Sequence, residues 1–146
     1  MDSAAPLEAR VGAVLGGTYR IERLLARGGM GAIYEAVHLR LPRRFAVKLL
    51  LDPNVMADRE LFGRFQQEAE IASSLGHDHI AEVFDFNFTA DGAPYMVMEL
   101  LEGEDLAARL ARSRRLTLAE TRGILEPLAS ALKLFGSDKQ VEFLPN

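Results

Sequence analysis

The chain has 146 residues, 49% hydrophobic and 26% charged, with a net charge of −4 and no cysteine. That length holds one domain with a real core but not two comfortable ones. The acidic balance argues against nonspecific binding to nucleic acid or an anionic membrane, and the missing cysteines exclude disulfides and thiolate metal sites and fit a reducing compartment.

Residues 1–17 are rich in Ala and Gly and read as a flexible leader; "MDSAAPLEAR" carries acids early and has no continuous apolar stretch, so it is not a signal peptide. From Thr18, "TYRIERLLAR" reads as a strand with Tyr19, Ile21 and Leu25 on one face. Leu24 breaks that alternation, and Arg23 on the inward face has no evident partner. Three glycines, Gly28, Gly29 and Gly31, then form a turn. "AIYEAVHLRL" follows with Ile33, Val37 and Leu39 at period two, so the two runs form an antiparallel hairpin. "RFAVKLLL" (44–51) is a third strand, ended by a break at Asp52-Pro53.

"ADRELFGRFQQEAEIASSLG" has a helical period, with Leu61, Phe65, Ala72 and Leu75 in one stripe and Gly76 suited to the C-terminal cap. "IAEVFDFNFT" and "APYMVMELL" are two further strands joined through Asp91-Gly92. Five strands and one long helix imply an α+β layer with the helix on one sheet face. Beyond residue 102 the pattern is helical. Asp105 suits the cap of "LAARLAR", and Thr117 with Glu120 makes a capping box ahead of "LAETRGILEPLASALKLF". Pro127 should kink that helix. Arg109, Arg112, Arg114 and Arg115 form the one basic cluster and read as a solvated helix end. The tail from 136 to 146 has no usable period. No apolar run reaches the roughly 18 residues of a membrane span, so the expected location is the cytoplasm.

Two charges stand where apolar residues belong. Lys48 lies inside an apolar strand, between Val47 and Leu49. Glu68 falls within the helix stripe that should meet the sheet. Burying an ammonium alone costs several kcal/mol, so opposite charges on two packed elements suggest an ion pair. The bland alternative is a lysine at a sheet edge and a glutamate at the stripe's border. A Gly-rich turn next to that lysine makes a site for a polyanion such as a nucleoside triphosphate, since glycines bring backbone donors without bulk. The turn alone could equally be hairpin geometry. His77 and His79 have the spacing of a metal pair, but packing is the favoured reading, and no metal site is assigned.

Taken in order, "ARGGMGAI" (26–33), "FAVK" (45–48), "RFQQEAEIASSLGHDHI" (64–80) and "PYMVMELLEGEDL" (94–106) resemble the N-terminal lobe of protein kinases, in particular the eukaryotic-like bacterial serine/threonine kinases. The resemblance covers about residues 18 to 135. It implies a five-stranded antiparallel sheet with one long helix, an ATP-binding lobe at 18–101, and a hinge with the first C-lobe helices at 102–135. It also implies roles. Leu25, Ile33 and Ala46 would sandwich adenine, with Met98 as gatekeeper. The Glu99 carbonyl and the Leu101 backbone would bond the adenine edge, and Asp105 the ribose. Gly28, Gly29 and Gly31 would lie over the phosphates. Lys48 would hold the α- and β-phosphates, oriented by Glu68.

Ala26 departs from the family by replacing the loop's first glycine. A larger departure is that the 146 residues contain neither the H-R-D catalytic loop nor the D-F-G metal-binding motif. The expectation is therefore an ATP-binding kinase lobe, inactive alone and without ligands for the Mg²⁺ that the complete family member uses. The alternatives are a noncatalytic pseudokinase-like binding module and a truncated product without independent function. Expected partners are ATP and another kinase N-lobe, or a second copy of the chain through the apolar stripe of 118–135 (Leu118, Leu125, Leu128, Leu132, Phe135). Neither nucleic acid nor a membrane is expected.

Overall fold

The computed structural model describes residues 7–28, 31–51 and 58–137, without the side chains of Leu7 and of 135–137. Gly29, the Asp52-Pro53 break, the Phe135 side chain and the tail beyond 137 lie outside the described residues. The chain divides into two compact units, one comprising 1–74 and 81–101, the other 75–80 and 102–146.

The first unit is built on a six-stranded antiparallel sheet in the order β1-β2-β3-β4-β6-β5, formed by β1 (Val14–Leu15), β2 (Tyr19–Arg27), β3 (Gly31–His38), β4 (Arg44–Leu50), β5 (Val83–Phe88) and β6 (Pro94–Glu99). Five of these strands match the sequence expectation. The sixth, β1, shows that the described part of the expected leader, residues 7–17, is folded onto the sheet. From Leu7 a short 3-10 turn (Leu7–Arg10) leads into β1, and the N–H of Ile21 donates to the Ala13 carbonyl at 2.9 Å. Leu15 is buried in the core. Gly16 lets the chain turn back with φ of 53°, and a Cβ there would stand 2.7 Å from the Tyr95 hydroxyl.

The broken alternation of β2 has a geometric cause. Register shifts lie between Ile21 and Arg23 and between Leu24 and Ala26, so the strand carries two bulges against β3. Tyr19, Ile21 and Leu24 therefore share the core side, while Leu25 is exposed. The core between the curled strands comprises Ile21, Tyr34, Ala36, Val47, Leu49, Tyr95 and Val97 among others. The opposite sheet face meets helix α1 (Arg59–Ser74), where Phe65 and Ala69 pack on Met96 with Val83, Phe86 and Met98 around them. Asp58 starts the helix by accepting from the N–H of Glu60 (2.9 Å) and Leu61 (3.2 Å).

An ion pair from Arg10 to Asp91 (2.8 Å) ties the N-terminal turn to the β5–β6 turn. The Arg10 hydrogen bond, then that of Thr89, lowers the Asp91 carboxyl to about 2. A depressed carboxyl stabilises the fold above its unfolded value of about 3.9, and that contribution is lost as pH falls toward the folded value. Because the pair is largely exposed, Asp91→Asn should lower stability by less than about 1 kcal/mol at pH 7. Urea denaturation of the two chains should converge between about pH 4 and 2; a gap that persists in acid would rule out this assignment.

The second unit contains α2 (Leu106–Ser113) and α3 (Leu118–Ser137). Asp105 caps α2, its Oδ1 accepting from the Ala108 N–H at 2.7 Å. Arg114 ends the helix in the left-handed region with φ of 57°. The capping box holds: the N–H of Thr117 donates to Glu120 (2.8 Å) and the N–H of Glu120 to Thr117 Oγ1 (3.2 Å). The Thr117 N–H and the Thr117 hydroxyl (2.9 Å), with a bond from Arg109, hold the Glu120 carboxyl below its usual range. Arg109 pairs with Glu120 (2.5 Å) and Arg112 with Glu104, so half the basic cluster is spent on local pairs. Pro127 stands inside α3, which continues on both sides of it. Of the apolar stripe, Leu118 is 92% exposed and Leu125, Leu128 and Leu132 are also exposed. His77 accepts from the His79 N–H through Nδ1 and lies 3.2 Å from Ser130 Oγ through Nε2, a packing arrangement.

Candidate functional site

Register places the candidate residues in rows. Directly paired residues on neighbouring strands share a sheet face. One row runs Ala26, Ile33, Lys48, Met96 and Phe86, and the next runs Arg23, Glu35, Ala46, Met98 and Val83. Both rows lie on the face that meets α1, which explains a lysine in an apolar strand: its side chain leaves the core for the helix side.

On α1, Leu61, Arg64, Phe65 and Glu68 follow the i, i+3, i+4, i+7 spacing of a single stripe. Glu68 thus reaches Lys48, whose Nζ lies 2.9 Å from both Oε1 and Oε2. The Lys48 ammonium also stands 5.5 Å from the centre of the Phe65 ring. The side chain of Lys48 is partly buried and that of Glu68 more open.

These residues line a cavity of about 250 Å³. Its roof comes from the Gly turn and the strands that flank it, including Ala26, Gly28, Gly31 and Ile33. Its wall is the α1 stripe. Of the residues expected at the site, Leu25, Ala46, Met98, Glu99 and Leu101 do not line the cavity, although Ala46 and Met98 lie one row away on the same face. Asp105 belongs to the second unit, where it caps α2.

The glycines differ in what they do. The Gly28 N–H donates to the Gly31 carbonyl at 2.8 Å and closes the turn, so it is already occupied. A Cβ on Gly28 would meet only that carbonyl, at 3.8 Å. On Gly31 it would fall 2.0 Å from the carbonyl oxygen of Leu49. Gly31 is therefore a packing requirement of the β3–β4 pair as well as part of the roof.

Sequence reasoning missed Arg27 and Arg64, both at the cavity, and Glu35. Glu35 is buried and binds Arg44 (2.9 Å) and Arg23 (2.5 Å), which gives the unexplained Arg23 its partner. The period-two alternation of Ile33 and Val37 was signal enough to place Glu35 on the same face. Among the described residues no group of three or more His, Asp or Glu is placed to hold a metal ion. The cations at this cavity, Arg27, Lys48 and Arg64, could hold an anionic group such as a phosphate. The cavity's volume, below the roughly 300–1,000 Å³ of ligand pockets, suits part of a nucleotide rather than the whole.

A sheet with one packed helix, a lysine–glutamate bridge and a Gly-rich turn defines a kinase-type N-lobe, and comparison with known proteins agrees. The protein kinase domain model matches residues 19–140. The chain belongs to the protein kinase domain family, with the bacterial serine/threonine kinases. It is 43% identical over 129 residues to Serine/threonine-protein kinase PknA of Mycobacterium tuberculosis, covering 86% of this chain and 30% of PknA. It is 35% identical over 122 residues to Serine/threonine-protein kinase pkn3 of Myxococcus xanthus, covering 84% of this chain and 22% of pkn3. The crystal structure of the M. tuberculosis PknI kinase domain superposes with a TM-score of 0.72 at 34% identity, covering 85% of this chain and 49% of that one. The chain thus spans less than a third of these curated relatives and about half of the solved kinase domain.

Proposed function

We propose that this chain is the ATP-binding part of a serine/threonine protein kinase domain, with Lys48 as the phosphate-contacting cation and Glu68 as the residue that positions it. The observation that carries the reading is the two-oxygen grip of Glu68 on Lys48 at the wall of a cavity roofed by the Gly turn. A lysine ammonium has three N–H donors. Glu68 takes two and leaves one for a ligand oxygen. The carboxylate fixes the ammonium in place without neutralising the demand of a polyphosphate, which carries several negative charges. Ile33 and Ala46, with Leu25, would hold adenine, and Met98 with the backbone of Glu99 and Leu101 would set its edge. ATP when bound supplies the transferable γ-phosphoryl group of the family's reaction.

Titration calorimetry of the 146-residue chain with ATP should show weak binding. Lys48→Ala should reduce it about tenfold, the scale of one charge-assisted contact. Equal affinity in the two chains would overturn the assignment of Lys48. Tight binding that requires Mg²⁺ would also contradict it, by demanding metal ligands that the described residues do not group together.

A further inference from the structure

The cavity holds more positive charge than the Lys48–Glu68 bridge accounts for. Arg64 stands on α1 one turn before Glu68, on the same helix face, and lines the same cavity. Its one described partner is Glu60, an i,i+4 pair at 2.5 Å with both side chains largely exposed. Such pairs contribute little and exchange readily for a better anion. Arg27, at the end of β2 beside the Gly turn, is in the same position: it lines the cavity and is held by the exposed Glu8. With Lys48, three cations on three elements surround a space whose remaining walls are largely apolar. Low-dielectric walls concentrate the field of those charges on whatever enters.

One carboxylate, Glu68, offsets one of the three cations. Arg27 and Arg64 are offset by Glu8 and Glu60, which do not line the cavity, so their charge becomes available to a ligand when those exposed pairs exchange. The cavity of about 250 Å³ is too small for a whole nucleotide, and its three cations, not its size, point to the phosphate end. Arg64 is placed on the α1 wall while Lys48 extends from β4, so the two approach the cavity from different elements. A guanidinium gives two parallel N–H donors suited to a terminal phosphate, whereas an ammonium acts as a point charge.

We propose that Arg64 is a second phosphate-contacting cation of this cavity, directed at the terminal phosphate, so that the site distinguishes nucleoside triphosphate from diphosphate. The proposal rests on the reading of the cavity as a nucleotide site. On binding, Arg64 leaves Glu60 for the phosphate, and Lys48 keeps Glu68.

The test is equilibrium binding of ATP, ADP and adenosine to the 146-residue chain in buffer free of divalent cations. Four variants are compared with the unmodified chain: Lys48→Ala, Arg64→Gln, Arg64→Lys and Arg122→Gln. Arg122 is the control because it forms an exposed i,i+4 pair with Glu126 on α3, like that of Arg64 with Glu60, but is not among the residues that line the cavity. Arg64→Gln should weaken ATP roughly fivefold or more and ADP by less than about twofold, with adenosine unchanged. Arg64→Lys should recover part of the loss, and Arg122→Gln should alter nothing. Circular dichroism of each variant confirms that α1 is intact. If Lys48→Ala weakens nucleotides while Arg64→Gln leaves the ATP-to-ADP ratio unchanged, the nucleotide site stands and the role of Arg64 fails. An equal loss of ATP affinity in Arg122→Gln also overturns it, as a generic charge effect. If no nucleotide binds the unmodified chain, both readings fall together.

Discussion

Gly31→Ala should remove about 3 kcal/mol or more of folding stability, enough to unfold much of a marginally stable domain. The reason is space, not backbone freedom. The added Cβ would lie 2.0 Å from the Leu49 carbonyl oxygen, 3.0 Å from its carbon and 3.1 Å from Leu50 Cα. All three are backbone atoms of a central strand, and Leu49 is fully buried, so none can swing aside as a side-chain tip would. Relief requires β3 and β4 to part, which breaks the register from Gly31–Leu50 toward Ile33–Lys48. Gly28→Ala provides the contrast. Its nearest neighbour would be 3.8 Å away, an ordinary contact, and the loss should stay within about 1 kcal/mol. Urea denaturation should show a large fall in midpoint for Gly31→Ala at similar slope, and little change for Gly28→Ala. Similar midpoints for the two variants would mean that both glycines serve the turn alone.

The sequence made the Lys48–Glu68 bridge legible because each charge violated the period of its own element, and the violations pointed the same way. The caps of α2 and α3 were legible for a related reason: Asp105, Thr117 and Glu120 act within four residues of themselves, where spacing is geometry. β1 was not legible, since two residues carry no period: Val14 is exposed, and Leu15 is buried where it pairs with Tyr19. The face of Leu25 was misjudged because bulges reset the alternation of β2, and a bulge is set by its partner strand. In the sequence Gly31 read as phosphate chemistry or as hairpin geometry. Its clash with Leu49 depends on how closely two strands approach, which no one-dimensional pattern encodes. Arg64 was passed over because an arginine near a glutamate on a helix reads as surface, and only the cavity shows which surface.

The triad around Glu35 carries the second large expected effect: Glu35→Gln should lose about 2 kcal/mol at pH 7. Its side chain is 6% exposed, while those of Arg23 and Arg44 are 64% and 54% exposed. The anion is thus buried and its cations reach water, so the loss falls between that of an exposed pair and a fully buried one. A glutamine is the damaging replacement because its amide donors would face two guanidinium groups that can only donate. Glu35→Leu should be milder, within about 1 kcal/mol, because it leaves no buried polar group and both arginines can turn to solvent. Acid should abolish the difference between the unmodified chain and Glu35→Gln. Burial raises the Glu35 pKa, but the hydrogen bonds and charges of Arg44 and Arg23 outweigh it, and the net shift is downward. A lowered carboxyl contributes fully above its unfolded value of about 4.3 and loses that contribution as pH falls through the folded value. Once protonated, Glu35 is nearly isosteric with glutamine. The denaturation midpoints should therefore separate at pH 7 and close progressively below about pH 4; a gap of constant size across that range would show that Glu35 acts through packing and not through its charge.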